Sequence, residues 1–358
     1  MSPGDRRDLA ARLRRLIAAT GPITLAHYMA EANAHYYGSR DPFGTPAPGR
    51  EKGGDFVTAP EISQMFGELV GLWLTDMWIR AGRPEPVHYV ELGPGRGTLA
   101  RDALRVMKRQ GLEPQVHFVE GSAVLKRIQL DAVPAAEWHH DLSTLPEDGP
   151  LLLVANEFLD ALPVRQLVRT ARGWRERMVA AEGDAFVCIA GDRPMDAALP
   201  EELRGAPEGT LIETNPAAAT SVGEVAARLS AQGGAALFVD YGHDAPRAGS
   251  TFQAVRAHRM VDPFADPGEA DLTAHVDFAA LVPVAQTRGA RWLGTVPQGV
   301  WLRALGIESR AEALSGFAPH QRETVMAAKD RLIGEDQMGL LFKVIGLAAP
   351  GWPDGAGF

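Results

Sequence analysis

A glycine-rich segment is the part of this sequence best suited to holding a small polar ligand. It reads VELGPGRGTL and contains four residues at positions that such a ligand would contact, Glu91, Gly93, Gly95 and Gly97. Glycine has no Cβ atom, so its backbone N–H group can approach a ligand closely. A dinucleotide-binding loop has the spacing G-x-G-x-x-G, and its third glycine would fall on Thr98. The spacing therefore argues against a nicotinamide dinucleotide.

Two carboxylates follow the next predicted strands at positions suited to a nucleoside. Glu120 closes the run VHFVE, and doubly wound folds place an acid that binds ribose hydroxyls about 20 residues after the glycine loop. An ordinary solvated glutamate is the alternative. Asp141 follows the third predicted strand, where it would accept a hydrogen bond from an adenine amino group with Leu142 against the ring. A turn or helix cap is an equal alternative for Asp141.

Longer segments resemble a known family. The pattern E-x-G-x-G-x-G at the end of a first strand resembles that of class I S-adenosylmethionine methyltransferases. Nearly the whole chain resembles the MidA-like family, which includes a mitochondrial methyltransferase that assists respiratory complex I assembly. The matching segments include ITLAHYM, GDFVTAPEISQMFGE, NEFLDALPVRQ, FVDYGH, GEADLTAHVDF and MGLLFKVIG. The resemblance implies S-adenosylmethionine as cofactor and symmetric dimethylation of an arginine on a core complex I subunit near the quinone site.

The methyl acceptor is expected beside the fourth predicted strand, LLLVAN. Ligands of doubly wound sheets lie at the carboxyl ends of the strands, which places Asn156, Glu157 and Asp160 there. A guanidinium is a poor nucleophile, and a carboxylate can hold two of its N–H groups at once. We therefore assign this role to Glu157. A helix-terminal glutamate with Asn156 as the cap, and a structural bond from Asp160, are the alternatives.

Two further groups of residues complete the predicted site. The segment DYGH ends another predicted strand, so Asp240 or His243 is placed to take the proton released on methylation. Loss of that proton to water, with His243 as a structural loop residue, is the alternative. Residues 38–54 contain three prolines and five glycines, which predicts a long loop. We expect this loop, with Asp55 and Thr58 after it, to fold over the cofactor as a lid. A plain connector to a helix capped by Thr58 and Glu61 is the alternative.

Alternating apolar runs and helical stretches from residue 87 predict the elements that position these groups. The run at 151–156 is apolar at both alternating sets of positions, as expected of a strand covered on both faces. The fold class is therefore α/β, with the Rossmann-like, mostly parallel sheet of a class I methyltransferase. The rest of the chain predicts an N-terminal helical cap and a strand-rich insertion. We assign the parts as cap and lid 1–84, core 85–348, insertions at about 163–210 (strand-rich) and 244–275 (irregular), and tail 349–358.

Composition limits the class of protein. The 358 residues carry a net charge of −9 and a single cysteine, which argues against nucleic acid as a partner and against a disulfide framework. The absence of a long apolar run or leader predicts a cytoplasmic protein without membrane insertion. No metal site is predicted, since Asp271, His275 and Asp277 are better explained as caps. A non-catalytic assembly chaperone and a nicotinamide-dependent oxidoreductase are the alternative functions, and a protein substrate is the expected partner.

Overall fold

The computed structural model describes residues 8–44, 54–199 and 201–358, which form two compact units. Unit 1 is built from the described parts of Met1–Phe56, Asp160–Ala218 and Ala245–Asp277. Unit 2 is built from Val57–Leu159, Ala219–Asp244 and Phe278–Phe358. Most of the predicted lid, residues 45–53, lies outside the described residues. The assignment of residues 1–84 to a cap and 85–348 to a core stays a prediction.

The α-helices are numbered in chain order as α1 Asp8–Thr20, α2 Leu25–Ser39, α3 Ala59–Ile62, α4 Gln64–Arg80, α5 Thr98–Arg109, α6 Ala123–Ala132, α7 Glu201–Arg204, α8 Pro216–Gln232, α9 Phe278–Thr287, α10 Gln298–Ala304, α11 Ile307–Phe317, α12 Arg322–Ile333 and α13 Met338–Leu341.

The strands are β1 Ile23–Thr24, β2 His88–Leu92, β3 Gln115–Val119, β4 Glu137–His139, β5 Leu151–Asn156, β6 Arg165–Thr170, β7 Gly173–Glu182, β8 Ala185–Pro194, β9 Leu211–Thr214, β10 Gly234–His243, β11 Gln253–Arg256, β12 Arg259–Val261, β13 Asp271–Thr273, β14 Val276–Asp277, β15 Arg291–Pro297 and β16 Phe342–Ala348.

The sheet of unit 2 has the strand order β15-β16-β10-β5-β2-β3-β4. The pairs from β10 to β4 are parallel, whereas β16 runs antiparallel to both β10 and β15. Every residue of the central strand β5 is buried, as its unbroken apolar sequence predicts. The carboxyl ends of β2, β3, β4, β5 and β10 therefore meet at one edge, where a doubly wound sheet binds its ligand.

Helices α4 and α5 approach each other closely in unit 2. A Cβ atom placed on Gly71 of α4 would lie 2.7 Å from the Cα atom of Ala103 in α5, so only glycine permits this packing. Glu68, on the same helix, is 3% exposed and accepts hydrogen bonds from Arg105 and Arg310. Glu68 therefore joins α4 to α5, the helix that follows the glycine loop, and to α11.

Unit 1 contains two small antiparallel sheets. In the first, β7 pairs with β1, β6 and β8, and β6 pairs with β9. In the second, β11 pairs with β12 and β13. Apolar residues of α1 and α2, such as Leu13 and Met29, join residues of both sheets, such as Val179 and Leu272, in one core.

Two local features differ from the sequence predictions. The stretch 244–275, expected to be irregular, contains the three short strands β11, β12 and β13. They are too short to show an alternating pattern. The side chain of Thr58 makes no cap hydrogen bond. Ser63 instead caps the long helix α4 by accepting from the Met65 N–H group. Among the described residues, no helix has the length and apolar character needed to cross a membrane.

Candidate active site

The glycine loop joins β2 to α5 at the carboxyl edge of the sheet. Gly93, Gly95 and Gly97 have φ angles of 61°, 55° and 77°, in the left-handed region that side chains disfavour. A Cβ atom on Gly93 would lie 2.9 Å from the ring of Phe158. The Gly93 N–H group donates to the Val119 carbonyl at 3.0 Å, which holds the turn over the end of β3. Side chains are thus absent from the positions where a ligand must meet the backbone.

Glu120 lies directly after β3 and is held by two donors. Its Oε1 accepts from the Ser122 N–H group at 2.7 Å and its Oε2 accepts from Gln129 Nε2 at 3.0 Å. Burial raises the pKa of the Glu120 carboxyl and these two hydrogen bonds oppose that shift. The two donors fix the carboxylate at the carboxyl edge of the sheet, where it was predicted to bind ribose hydroxyls.

Gln129 of α6 is a positioning residue that the sequence did not reveal. Its side chain is fully buried, and its Nε2 also donates to the Gly95 carbonyl at 2.8 Å. Its Oε1 accepts from Trp138 Nε1 at 2.8 Å. One amide therefore links the glycine loop, Glu120 and β4. A glutamine inside an amphipathic helix carries no sequence signal for such a role, since its partners come from three other segments.

Glu91, the acidic residue before the glycines, is buried inside the sheet. It is 3% exposed and accepts a hydrogen bond from the Tyr89 hydroxyl at 2.7 Å. Burial raises the pKa of Glu91 to about 8, against the opposing effect of the Tyr89 bond. A carboxyl group in this state would gain from a nearby positive charge, because opposite charges favour its ionised form.

Asn156 is the last residue of β5, and Glu157 follows it in the turn that contains Phe158, against the glycine loop. Glu157 has φ 48°, a strained conformation that costs about 1–3 kcal/mol and is concentrated at functional sites. Its Oε1 accepts from the Ala59 N–H group at 3.0 Å and from Asn156 Nδ2 at 3.3 Å. The buried Oδ1 of Asn156 has no hydrogen-bond partner among the residues that the structure describes.

Asp240 anchors this turn from the neighbouring strand β10. It is 1% exposed, and its Oδ2 accepts from the N–H groups of Phe158 and Leu159 at 3.1 and 2.9 Å. Its Oδ1 accepts from the Tyr241 N–H group at 2.9 Å. Three backbone donors favour a positioning role for Asp240 over proton transfer. His243, at the end of β10, is half-buried.

Asp141, Leu142 and Thr58 also belong to unit 2. Asp141 is exposed and accepts from both the N–H and the hydroxyl of Ser143, which are the first causes of its lowered pKa. It thus caps a short 3-10 helix that begins at the buried Leu142, and this observation favours the cap alternative. Thr58 is 8% exposed and lies one residue before the Ala59 N–H group that binds Glu157.

Asp55 and Asp160 belong to unit 1. Asp55 accepts from the Tyr36 hydroxyl at 2.7 Å and from the Ala257 N–H group at 2.9 Å, so its carboxylate joins the last turn of α2 to the turn between β11 and β12. Asp160 is 5% exposed and its backbone carbonyl accepts from the Ala274 N–H group. The contacts of Asp55 favour a structural role for its carboxylate, whereas the contact given for Asp160 involves only its backbone.

Known proteins match this chain over most of its length. The model of a family described as "Putative S-adenosyl-L-methionine-dependent methyltransferase" matches residues 69–296. A mitochondrial protein of Drosophila melanogaster, named as a homologue of protein arginine methyltransferase NDUFAF7, is 38% identical over 383 residues, which span 95% of this chain and 84% of that protein. The Homo sapiens protein arginine methyltransferase NDUFAF7, also mitochondrial, is 36% identical, over 92% of this chain and 81% of its own.

A solved structure shares the same fold. The crystal structure of a Burkholderia thailandensis protein bound to S-adenosyl-homocysteine superposes with a TM-score of 0.83 at 33% identity, covering 97% of this chain and 94% of that one.

Proposed function

Because the chain belongs to the MidA-like family of S-adenosylmethionine-dependent methyltransferases, we propose that it methylates an arginine side chain of a partner protein. We further propose symmetric dimethylation of an arginine on a core subunit of respiratory complex I near the quinone site, in support of complex I assembly. The arginine is supported by the names of relatives that are 38% and 36% identical over almost the whole chain. The complex I subunit is supported by the resemblance in the sequence segments.

Three of the sequence predictions are confirmed. The MidA-like family, the class I methyltransferase fold and S-adenosylmethionine as the cofactor all agree with the matched family and with the similar structure that holds S-adenosyl-homocysteine. The chain is therefore a methyltransferase, and the nicotinamide alternative is set aside.

The residues at the carboxyl edge fit this cofactor. The left-handed glycines leave a cradle that a Cβ atom on Gly93 would fill, and Glu120 is held in place for ribose hydroxyls. We place Glu91 opposite the methionine ammonium group, whose positive charge would favour the ionised carboxylate. When bound, S-adenosylmethionine supplies an electrophilic methyl group, which passes to the acceptor nitrogen as that nitrogen loses one proton and S-adenosylhomocysteine is left.

Glu157 is the residue that we propose to hold the acceptor guanidinium. The observation that carries this proposal is its strained backbone at the carboxyl end of β5, in a turn that contacts the glycine loop through Phe158. A carboxylate there can hold two guanidinium N–H groups and aim the third nitrogen at the methyl group. Asn156 positions Glu157 through Nδ2. Its buried Oδ1, which has no hydrogen-bond partner among the described residues, would gain from one further donor, because a buried acceptor left unpaired costs about 1–3 kcal/mol.

His243 is our candidate for taking the proton that the acceptor nitrogen releases. It ends the strand that carries Asp240, which anchors the turn of Glu157. A neutral imidazole can accept a proton near neutral pH.

The partner is proposed to be basic around its arginine. The chain's net charge of −9 favours encounter with a positively charged segment. The cytoplasmic location expected from the sequence stays a prediction, since the named relatives are mitochondrial.

Two substitutions separate cofactor binding from transfer. Gly95→Val forces a β-branched residue into a left-handed turn, so we expect S-adenosylhomocysteine binding by calorimetry to be lost.

Glu157→Gln keeps the size of the side chain and removes its charge. We expect it to retain cofactor binding and to lower methylation of an arginine-containing complex I subunit segment roughly 100-fold, by about 2.7 kcal/mol, as followed by mass spectrometry.

The control is Gly111→Val, which introduces valine at φ 79° with no atom within 4 Å of the new Cβ. It tests strain away from the site and should leave cofactor binding intact. Equal loss of cofactor affinity in Glu157→Gln and Gly95→Val would contradict the division of roles. Intact cofactor binding by the parent protein without methylarginine in the complex I subunit segment would instead support the assembly chaperone.

A further inference from the structure

Three histidines form a hydrogen-bonded row across β2, β3 and β4 in unit 2. His88 Nδ1 lies 3.1 Å from His117 Nε2, and His117 Nδ1 lies 3.0 Å from His139 Nε2. The row ends at Thr144, whose Oγ1 is 2.8 Å from His139 Nδ1. None of these residues belongs to the proposed methyl-transfer site. Two imidazoles that share one hydrogen bond carry only a single proton between their facing nitrogens.

We propose that His117 and His139, together with Glu137, form a binding site for a divalent transition-metal ion of the Zn²⁺ type. The three donor atoms lie within 4.8 Å of one another, and Glu137 Oε2 is 3.9 Å from His117 Nδ1. Two imidazole nitrogens and a carboxylate oxygen are a common donor set for such an ion. The ion would take the place of the one proton between the two histidines, and that proton would shift to an outer ring nitrogen, so that each imidazole stays neutral.

The ring nitrogens of His117 and His139 that would not bind the ion already lie beside hydrogen-bond partners. A metal-binding imidazole commonly donates its other N–H group to an acceptor, which fixes its orientation. With the ion on Nδ1 of His117, the Nε2–H group donates to His88 Nδ1. With the ion on Nε2 of His139, the Nδ1–H group donates to Thr144 Oγ1. Both acceptors already lie within hydrogen-bond distance, so ring protons shift between nitrogens while the hydrogen-bond partners stay the same.

The required movements are small. Tetrahedral bonds of about 2.0–2.1 Å place two nitrogens about 3.3 Å apart, compared with 3.0 Å between the facing nitrogens of His117 and His139. Glu137 lies directly opposite His117 in the strand pair, and its side chain is 74% exposed, so it can swing toward the ion. That exposure also leaves the fourth position to water. Borderline ions such as Zn²⁺, Co²⁺ and Ni²⁺ suit these donors better than Mg²⁺ or Ca²⁺.

A bound ion would join the edge strand β4 to β3. The contact between these strands is short, because β4 has only three residues. Metal binding to the folded state alone stabilises it, since the unfolded chain does not hold the three donors together. The ion should therefore raise the thermal stability of the protein.

The test is titration of tag-free, chelator-treated protein with Co²⁺ and Zn²⁺. We expect one equivalent of Co²⁺ to give the intense visible absorption of a four-coordinate ion, and Zn²⁺ to displace it and raise the melting temperature. His139→Gln and Glu137→Gln should weaken binding at least 100-fold and at least 10-fold, respectively. Thr144→Val removes only the acceptor behind His139 and should weaken binding 10–100-fold. These variants avoid the fully buried His117.

The matched control is His140→Gln, because His140 is the neighbouring histidine and its side chain is 87% exposed. Its metal affinity should equal that of the parent. Unchanged Co²⁺ binding in His139→Gln would overturn the proposal, as would the absence of any Co²⁺ or Zn²⁺ binding by the folded parent. A rise in melting temperature with Zn²⁺ that persists in His139→Gln would also overturn it.

Discussion

At the scale of single residues, Gln129 holds other residues of the candidate site in position and is not itself assigned to contact the cofactor or the methyl acceptor. Its amide meets Gly95, Glu120 and Trp138 with both polar atoms engaged. A hydroxyl or charged group in its place would leave at least one of these partners unpaired. The residue thus couples the shape of the glycine loop to the position of Glu120, the carboxylate that we propose to bind the ribose hydroxyls.

Replacing Gln129 by methionine should damage both stability and cofactor binding. The side chain keeps its length but removes the hydrogen bonds to three partly buried polar partners, so we expect a loss of about 3 kcal/mol in the free energy of unfolding, measured with urea. Affinity for S-adenosylhomocysteine should fall roughly tenfold, which corresponds to about 1.4 kcal/mol. Gln110→Met, at an exposed helix end, serves as the control. A Gln129 variant with parent-like affinity would show that the amide does not position the loop.

At the scale of elements, Thr58 and Ser63 are the two candidate N-caps before α4, and the structure distinguishes them. Ser63 accepts from the Met65 N–H group at 3.2 Å, whereas Thr58 makes no cap bond to the short helix α3. Ser63→Ala should therefore lower the free energy of unfolding by about 1 kcal/mol. Thr58→Val removes only a hydroxyl and should cost less. Urea unfolding of both variants checks this order, and the reverse order would restore the capping box at Thr58.

The elements of unit 2 follow closely from the sequence because their signals are local. The apolar run of β5 and the alternation of apolar runs with helical stretches from β2 to β4 predict buried parallel strands, and the structure contains them. The strands β11 to β13 escaped prediction because each has three or four residues. Their stability comes from the pairing of β11 with β12 and with β13 rather than from a pattern within any one strand.

The candidate site and the histidine row also contain some residues that the sequence predicts and others that it does not. Gly93, Gly95 and Gly97 were found from spacing, since a tight turn requires glycine at fixed positions. The linking role of Gln129 and the grouping of His117 with His139 depend on which strands become neighbours, and 22 residues separate the two histidines. The three backbone bonds of Asp240 likewise depend on β10 lying beside β5. No spacing rule within one segment reveals such contacts.

At the scale of the whole molecule, Glu91 in unit 2 and Asp271 in unit 1 are deeply buried acids with raised pKa values. Burial raises the pKa of Glu91 in unit 2 to about 8, and burial followed by the charge of Asp160 raises the pKa of Asp271 in unit 1 to about 8. In the unfolded chain both groups titrate near pH 4. Between about pH 5 and 8 the folded protein therefore holds two protons that the unfolded chain has lost. The stability linked to these protons is complete below pH 4 and disappears as the pH rises through 8.

This linkage predicts a protein that becomes less stable in mild alkali. Each acid contributes a fall of about 1.4 kcal/mol per pH unit in the free energy of unfolding between pH 5 and 8. Asp271→Asn mimics the neutral acid and keeps an acceptor for the Tyr37 hydroxyl, which is 2.7 Å from Asp271 Oδ1. Urea unfolding at pH 6 and pH 8 gives the free energy of unfolding at each pH. Its fall per pH unit should be smaller by about 1.4 kcal/mol in Asp271→Asn. Asp192→Asn, which changes a fully exposed residue, should match the parent. Equal slopes in parent and Asp271→Asn would mean that Asp271 is ionised in the folded protein, with a cation or ordered water compensating its charge.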